Sequence, residues 1–234
     1  MKLNPNLDAV ALRSAFAAAG RLQIADFLAV DDAHTLSAGI SDLDWQLVLN
    51  TGTRHVDLPR QQVAGMGKPK LAAILAEVGK QAATSFQYLY ENYPVTDLVD
   101  AGTLSNPHLR AIHDLMNSAD ARGFLESVTG RETDFCDMQA TRYSAGHFLT
   151  VHDDDAGPAK NRKLAYVLSL TEGWAATWGG QLQFLNSEGG VSASFAPKFN
   201  ALSVFAVPAP HHVSQVASFA PKGRISLTGW FRTR

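Results

Sequence analysis

HFLTVHD (147–153) is preceded by DMQATRYS (137–144) and followed by KLAYVLSL (163–170), GQLQFLN (180–186), VSASFA (191–196), ALSVFAV (201–207), HHVSQVAS (211–218) and RISLTGWF (224–231). These eight short runs are apolar or alternating, and Gly, Pro, Asn and Asp separate them. Even spacing of that kind predicts a β-sandwich or barrel rather than a helical domain.

The texture before about residue 133 is different. The spacing predicts a helix over 6–19, capped by Asn6 and stopped by Gly20, then a strand over 21–28 (RLQIADFL) and a helix from Asp31 or Asp32 to about Ile40. WQLVLN (45–50) and HVDL (55–58) read as two strands joined by the turn TGTR. Leu71, Ile74, Leu75, Val78, Ala82 and Phe86 recur near helical spacing and predict one long helix over 69–90. Two further helices are expected over 107–129, broken near Ser118 or Gly123. The expectation is therefore a single domain, 1–234, with mainly helical support and some strands in 1–132 and the β core in 133–234.

Composition bounds the function. The chain has 234 residues, 46% of them hydrophobic and 18% charged, enough to bury a real core. A formal net charge of −2 gives no electrostatic case for nucleic acid or an anionic membrane. Cys136 is the one cysteine, so neither an internal disulfide nor a cysteine metal cluster is expected, and a reducing compartment fits. Asp8 and Arg13 interrupt the apolar run of the first twenty residues, which does not read as a signal peptide. With no long apolar run for a membrane span, a cytoplasmic location is expected. The oligomeric state is not legible.

Two histidines and a carboxylate are the ligand set of a non-haem Fe(II) site with open positions. Residues i and i+2 of a strand share a face, so His152 and Asp154 project together if 149–154 is extended. A third ligand has to come from a distant strand, and His211 and His212 are the candidates. Strand parity alone does not choose between them. The chain holds a second His-x-Asp, His55-Val56-Asp57, which lies between Arg54 and Leu-Pro with helices after it. We read that pair as structural, or at most substrate-facing. Arg224 follows the turn FAPKG, which predicts a hairpin of 211–217 with 224–231. Its guanidinium can grip a carboxylate with two parallel hydrogen bonds, and Ser226, on the same face, can add a hydroxyl.

Together, HDD (152–154), WGGQLQF (178–184), His211-x-Val213-x-x-Val216 and RISLTGWF resemble the 2-oxoglutarate- and Fe(II)-dependent oxygenases of the prolyl 4-hydroxylase-like branch. Within it they are most similar to the catalytic domain of ribosomal-protein prolyl hydroxylases. The resemblance covers roughly 135–234 well and the N-terminal helices only loosely. It implies an α+β fold with a double-stranded β-helix (jelly-roll, cupin-like) core and N-terminal supporting helices. It implies His152, Asp154 and His211 as metal ligands, and Arg224 as the residue that binds the far carboxylate of 2-oxoglutarate. Tyr143 stands where such enzymes often place a pocket tyrosine. Five residues before Trp174, where many carry a tyrosine that helps bind 2-oxoglutarate, this chain has Ser169. The eukaryotic ribosomal enzymes also carry a second, non-catalytic barrel, which is not expected here.

The resemblance further implies Fe(II), 2-oxoglutarate and O2 as cofactors and co-substrates, with ascorbate beside them. A prolyl residue in a protein or peptide, in the ribosomal case a translation component, is the implied substrate, with succinate and CO2 released. Two alternatives use the same residues differently: the same chemistry on a free amino acid or small metabolite, and a cupin-like metalloprotein that does not use 2-oxoglutarate. The latter would not need Arg224. Arg54, Gln61, Gln62, Tyr88, Tyr90 and Tyr93 could cover an entering peptide, but FQYLYENY (86–93) reads rather as the end of the long helix.

Overall fold

The computed structural model describes residues 1–52, 54–155, 157 and 161–234. The N-terminal half runs α1 (Ala9–Ala19), β1 (Arg21–Ile24), α2 (Val30–Gly39), β2 (Gln46–Thr51), β3 (Arg54–Pro59), α3 (Arg60–Gly65), α4 (Lys68–Ala82), β4 (Tyr88–Tyr93), α5 (Val95–Asp100), α6 (Pro107–Asn117) and α7 (Ala119–Thr129). The rest is strand: β5 (Phe135–Cys136), β6 (Gln139–Tyr143), β7 (Phe148–His152), β8 (Arg162–Ser169), β9 (Leu182–Leu185), β10 (Val191–Phe195), β11 (Ala201–Ala206), β12 (His211–Val213) and β13 (Arg224–Arg232). All eight expected strands after residue 133 are present.

Hydrogen bonding orders them into two antiparallel layers. One is β1-β11-β8-β13-β6 and the other is β7-β12-β9-β10. Strand β4 pairs with β6 and with β7, so it closes one side between the layers and brings the β2–β3 hairpin with it. From β6 to β13 the chain lays its strands in both layers, which is the double-stranded β-helix of a jelly roll. Strand parity separates inside from outside. Leu164, Tyr166 and Leu168 of β8, Leu227 and Phe231 of β13 and Ala140 of β6 join the large core under α1, α2, α6 and α7. Gln139, Thr141 and Tyr143 of β6, Ala165 and Val167 of β8, and Arg224, Thr228 and Trp230 of β13 line an interior cavity.

Several expectations need correction. β12 and β13 do not form a hairpin: β12 pairs with β7 and β9, and β13 with β5, β6 and β8. The two strands lie in opposite layers, and the intervening residues cross from one to the other. The helix expected over 69–90 ends at Ala82, and 88–93 is a strand in the sheet. There tyrosines at alternate positions face the cavity, while Leu89 packs beside α4 on the other side. Leu71 to Ala82 keep helical spacing within α4, whereas Phe86 lies beyond its end, just before β4. The first strand ends at Ile24, because Asp26 turns with φ 50°. Asp8, not Asn6, caps α1, accepting from Val10 N and Ala11 N, and Ala29, not Asp31 or Asp32, precedes α2. The break between α6 and α7 falls at Ser118, whose hydroxyl accepts from Ala121 N.

Candidate metal centre

His152 ends β7 and His211 begins β12, and the two are direct partners in the antiparallel register. Their rings lie 4.1 Å apart, centre to centre. Asp154 is not in the strand. It sits two residues beyond, at φ 64°, a left-handed conformation that Asp adopts more readily than most residues. A turn, rather than strand parity, brings its carboxylate to the histidines. His152 Nε2 is 3.4 Å from Asp154 Oδ1, and His211 Nε2 is 3.6 Å from Asp154 Oδ2.

The other nitrogens fix the ring orientation. His152 Nδ1 lies 3.0 Å from the carbonyl of Thr150, and His211 Nδ1 lies 2.7 Å from that of Ala209. A carbonyl only accepts, so each Nδ1 carries a proton, and each Nε2 is left as the ring atom directed at Asp154, the one that a metal would take in the neutral ring. Three such donor atoms, all within 4.8 Å of one another, suit a divalent transition metal. Electrostatics agree. Burial, then the neighbouring His152, lowers the His211 pKa to about 4. Burial opposes ionisation of Asp154, yet the His152 hydrogen bond and the charges of His211 and His152 hold it below its ordinary value. His212 projects from the other side of β12, opposite Gln183, and is not in the cluster.

The cluster opens into a cavity of about 670 Å³. Arg224 lies on its wall, 3% exposed, with its guanidinium over the Tyr143 ring and Nη1 donating to Ser226 Oγ at 3.3 Å. Among the described residues no carboxylate pairs with it, and its Nε has no partner. Tyr143 in turn stacks on Tyr90, centroids 5.0 Å apart and 12° from parallel. Ser169 and Ser226 face each other in register between β8 and β13, both buried, and neither lines the cavity; Ser169 Oγ has no partner. Sequence reading missed the far end of the same layer, where Arg162 of β8 lies 3.5 Å over the Trp230 ring of β13 and donates to the Asp154 carbonyl at 3.1 Å. Trp230 was within reach, since it shares parity with Arg224 and Ser226. Tyr88 and Tyr90 were misplaced with the helix. His55 lies at the cavity margin. Of the other residues expected near an entering peptide, Arg54, Gln61, Gln62 and Tyr93 do not line the cavity.

Residues 138–232 match the sequence model of the 2OG-Fe(II) oxygenase superfamily. Among curated relatives, prolyl 3,4-dihydroxylase OGFOD1 of Ostreococcus tauri is 30% identical over 166 residues, covering 62% of this chain and 32% of that protein. Prolyl 3-hydroxylase sudestada1 of Drosophila melanogaster is 28% identical, covering 74% and 33%. The chain thus spans about a third of these relatives. A prolyl-4-hydroxylase of Pseudomonas putida shares the fold with a TM-score of 0.60 at 21% identity, covering 97% of this chain and 100% of that one. The resemblance read from the sequence stands.

Proposed function

We propose that this chain, whose β core resembles the 2OG-Fe(II) oxygenases over residues 138–232, is an Fe(II)- and 2-oxoglutarate-dependent dioxygenase that hydroxylates a prolyl residue in a protein or peptide. The observation that carries the reading is one cavity lined both by three convergent donor atoms and by a buried cation with no carboxylate partner among the described residues. His152, Asp154 and His211 would hold Fe(II). Arg224 would pair with the far carboxylate of 2-oxoglutarate, because a buried guanidinium calls for an anion. When bound, the metal and co-substrate supply the oxidising power to insert one atom of O2 into a C–H bond, with succinate and CO2 as co-products. Ascorbate serves as the reductant that keeps the metal as Fe(II).

The protein's own part is position and dryness. Thr150 and Ala209 carbonyls hold both histidine rings in the ligating tautomer. Tyr143 and Tyr90 stack beside Arg224 and keep water from it. Tyr143 would contact the co-substrate, and Ser226 orients the guanidinium; Ser169, the other serine expected at the co-substrate, stands in register with Ser226 but off the cavity wall. Arg162, stacked on Trp230, forms the cavity wall beside Asp154. Prolyl specificity is supported by the names of the relatives, and a translation component is the protein substrate that their likeness suggests. No helix among the described residues is long and apolar enough to cross a membrane; with a lone buried cysteine, we assign a reducing, cytoplasmic setting.

The test is anaerobic titration of metal-free protein with Fe(II) and 2-oxoglutarate. A visible iron-to-keto-acid charge-transfer band should need both components and vanish in Asp154→Ala. Proline-containing peptides should then gain one oxygen atom by mass. Absence of the band in folded, metal-loaded protein would leave a cupin-like metalloprotein that does not use 2-oxoglutarate.

A further inference from the structure

The second His-x-Asp motif is not idle. His55 and Asp57 lie two apart on β3 and share a face, and His55 Nε2 is 3.0 Å from Asp57 Oδ1. The other nitrogen, Nδ1, is 2.5 Å from the hydroxyl of Tyr88 on β4. Tyr88 and His55 both line the cavity. Phe86 lies between Tyr88 and the metal cluster, with its ring 5.6 Å from the rings of both Tyr88 and His152. Tyr88 is thus one ring away from a proposed ligand, and it is 9% exposed.

Donor bookkeeping gives this chain a direction. A carboxylate oxygen accepts, so the proton shared with Asp57 sits on His55 Nε2. With that as the single ring proton, Nδ1 is an acceptor and the Tyr88 hydroxyl donates to it. With its one proton committed, the Tyr88 oxygen has only lone pairs left to offer the cavity. Burial pushes the Tyr88 phenol above its ordinary range, so it remains a phenol.

We infer that Tyr88, oriented by His55 and Asp57, is a substrate-binding acceptor that takes an N–H donor from the chain being hydroxylated. This rests on the proposed function. A prolyl residue within a chain has no N–H of its own. Within a chain the donor is therefore the backbone amide of a neighbouring residue. His55 and Asp57 are positioning residues that keep the Tyr88 proton away from the cavity.

Two measurements test it. Nitrogen-15 NMR of the metal-free protein should show His55 as the Nε2–H tautomer; the Nδ1–H tautomer overturns the proposal. Protein loaded with Zn(II) and 2-oxoglutarate should then be titrated with acetyl-Ala-Ala-Pro-Ala-Ala-amide, with the same peptide N-methylated at the amide after proline, and with free L-proline. N-methylation should weaken binding about tenfold in the wild type, the size of one net hydrogen bond to a desolvated group. In Tyr88→Phe the two peptides should bind alike. Equal binding of the two peptides to the wild type, or binding of free proline without the peptide, or binding of neither, overturns the assignment. The charge-transfer titration is independent of Tyr88, so failure there would mark the proposed function instead.

Discussion

Arg224 and Tyr143 face each other in register across β13 and β6, with the guanidinium carbon 4.6 Å from the centre of the tyrosine ring. The ring face attracts the cation but does not neutralise it. Burial accordingly pushes the Arg224 pKa below its ordinary value. No carboxylate among the described residues neutralises it, so a cation kept there should cost stability.

That cost is measurable. Arg224→Met keeps the volume and removes the charge, so the metal-free protein should gain about 1 kcal/mol or more of unfolding free energy. The same variant should lose 2-oxoglutarate affinity by two orders of magnitude or so, a cost of ~3 kcal/mol. Urea denaturation and calorimetric binding check the two halves. A variant that is less stable and still binds 2-oxoglutarate would refute both the charge argument and the assigned partner.

Gly180 bears on the same side chain. A Cβ there would lie 3.1 Å from Arg224 Cδ, 3.3 Å from its Nε and 3.2 Å from Val216 Cγ2, and the backbone stands at φ +63°. Gly180→Ala should therefore displace the guanidinium and weaken 2-oxoglutarate binding, with a strain cost of about 1–3 kcal/mol. On an Arg224→Met background the further loss of binding should be near zero, since the two sites are in contact. Additive losses in that double-mutant cycle would mean that Gly180 acts elsewhere. Gly179→Ala is a different case: its Cβ would lie 2.1 Å from the Gln215 carbonyl oxygen, so expression of folded protein should fall.

Asn200 ties the helical layer to the β core. It is 2% exposed, stands at φ 55°, accepts from Leu28 N at 2.9 Å and donates to Leu28 O at 2.8 Å. Asn200→Ala leaves both backbone groups of Leu28 buried without that partner and places alanine in a left-handed conformation. The expected loss is about 2–4 kcal/mol in unfolding free energy, with the 2-oxoglutarate affinity of the folded fraction unchanged. A loss below about 1 kcal/mol would mean that water replaces the side chain.

The β core was legible because each of its strands is short, apolar or alternating, and bounded by turn residues. The His152, Asp154 and His211 cluster was legible as residue types, but a turn and not strand parity brings Asp154 to the histidines. A left-handed Asp154 cannot be read from a sequence that would equally well continue as strand. Pairing across the two layers was not legible either: the turn before Arg224 looks like a hairpin loop, and only the strand partners of β12 and β13 show that it crosses between layers. FQYLYENY was ambiguous for a general reason. Its aromatics fit a strand face and a helix end alike, and β4 is fixed by partners β2, β6 and β7 that lie far away in sequence.

Acid should destabilise the metal-free protein over a definite window. His113, His147 and His211 all have pKa values lowered from 6.5, with burial as the largest cause in each, and His211 reaches about 4. Between about pH 6.5 and about pH 4 the unfolded chain takes up a proton at His211 while the folded chain does not, and the lowered pKa values of His113 and His147 act in the same direction. The unfolded state therefore binds more protons, and stability falls as pH falls through that window. Asp154, held below its ordinary value, adds to the loss in the same direction at still lower pH. From about pH 7.5 to about pH 5 the urea midpoint should drop by the equivalent of roughly 2 kcal/mol. Metal binding at His152 and His211 requires the neutral rings, so saturating divalent metal should raise the midpoint more at the higher pH. A midpoint flat across the window, with the fold retained, would mean that these histidines protonate inside the folded protein.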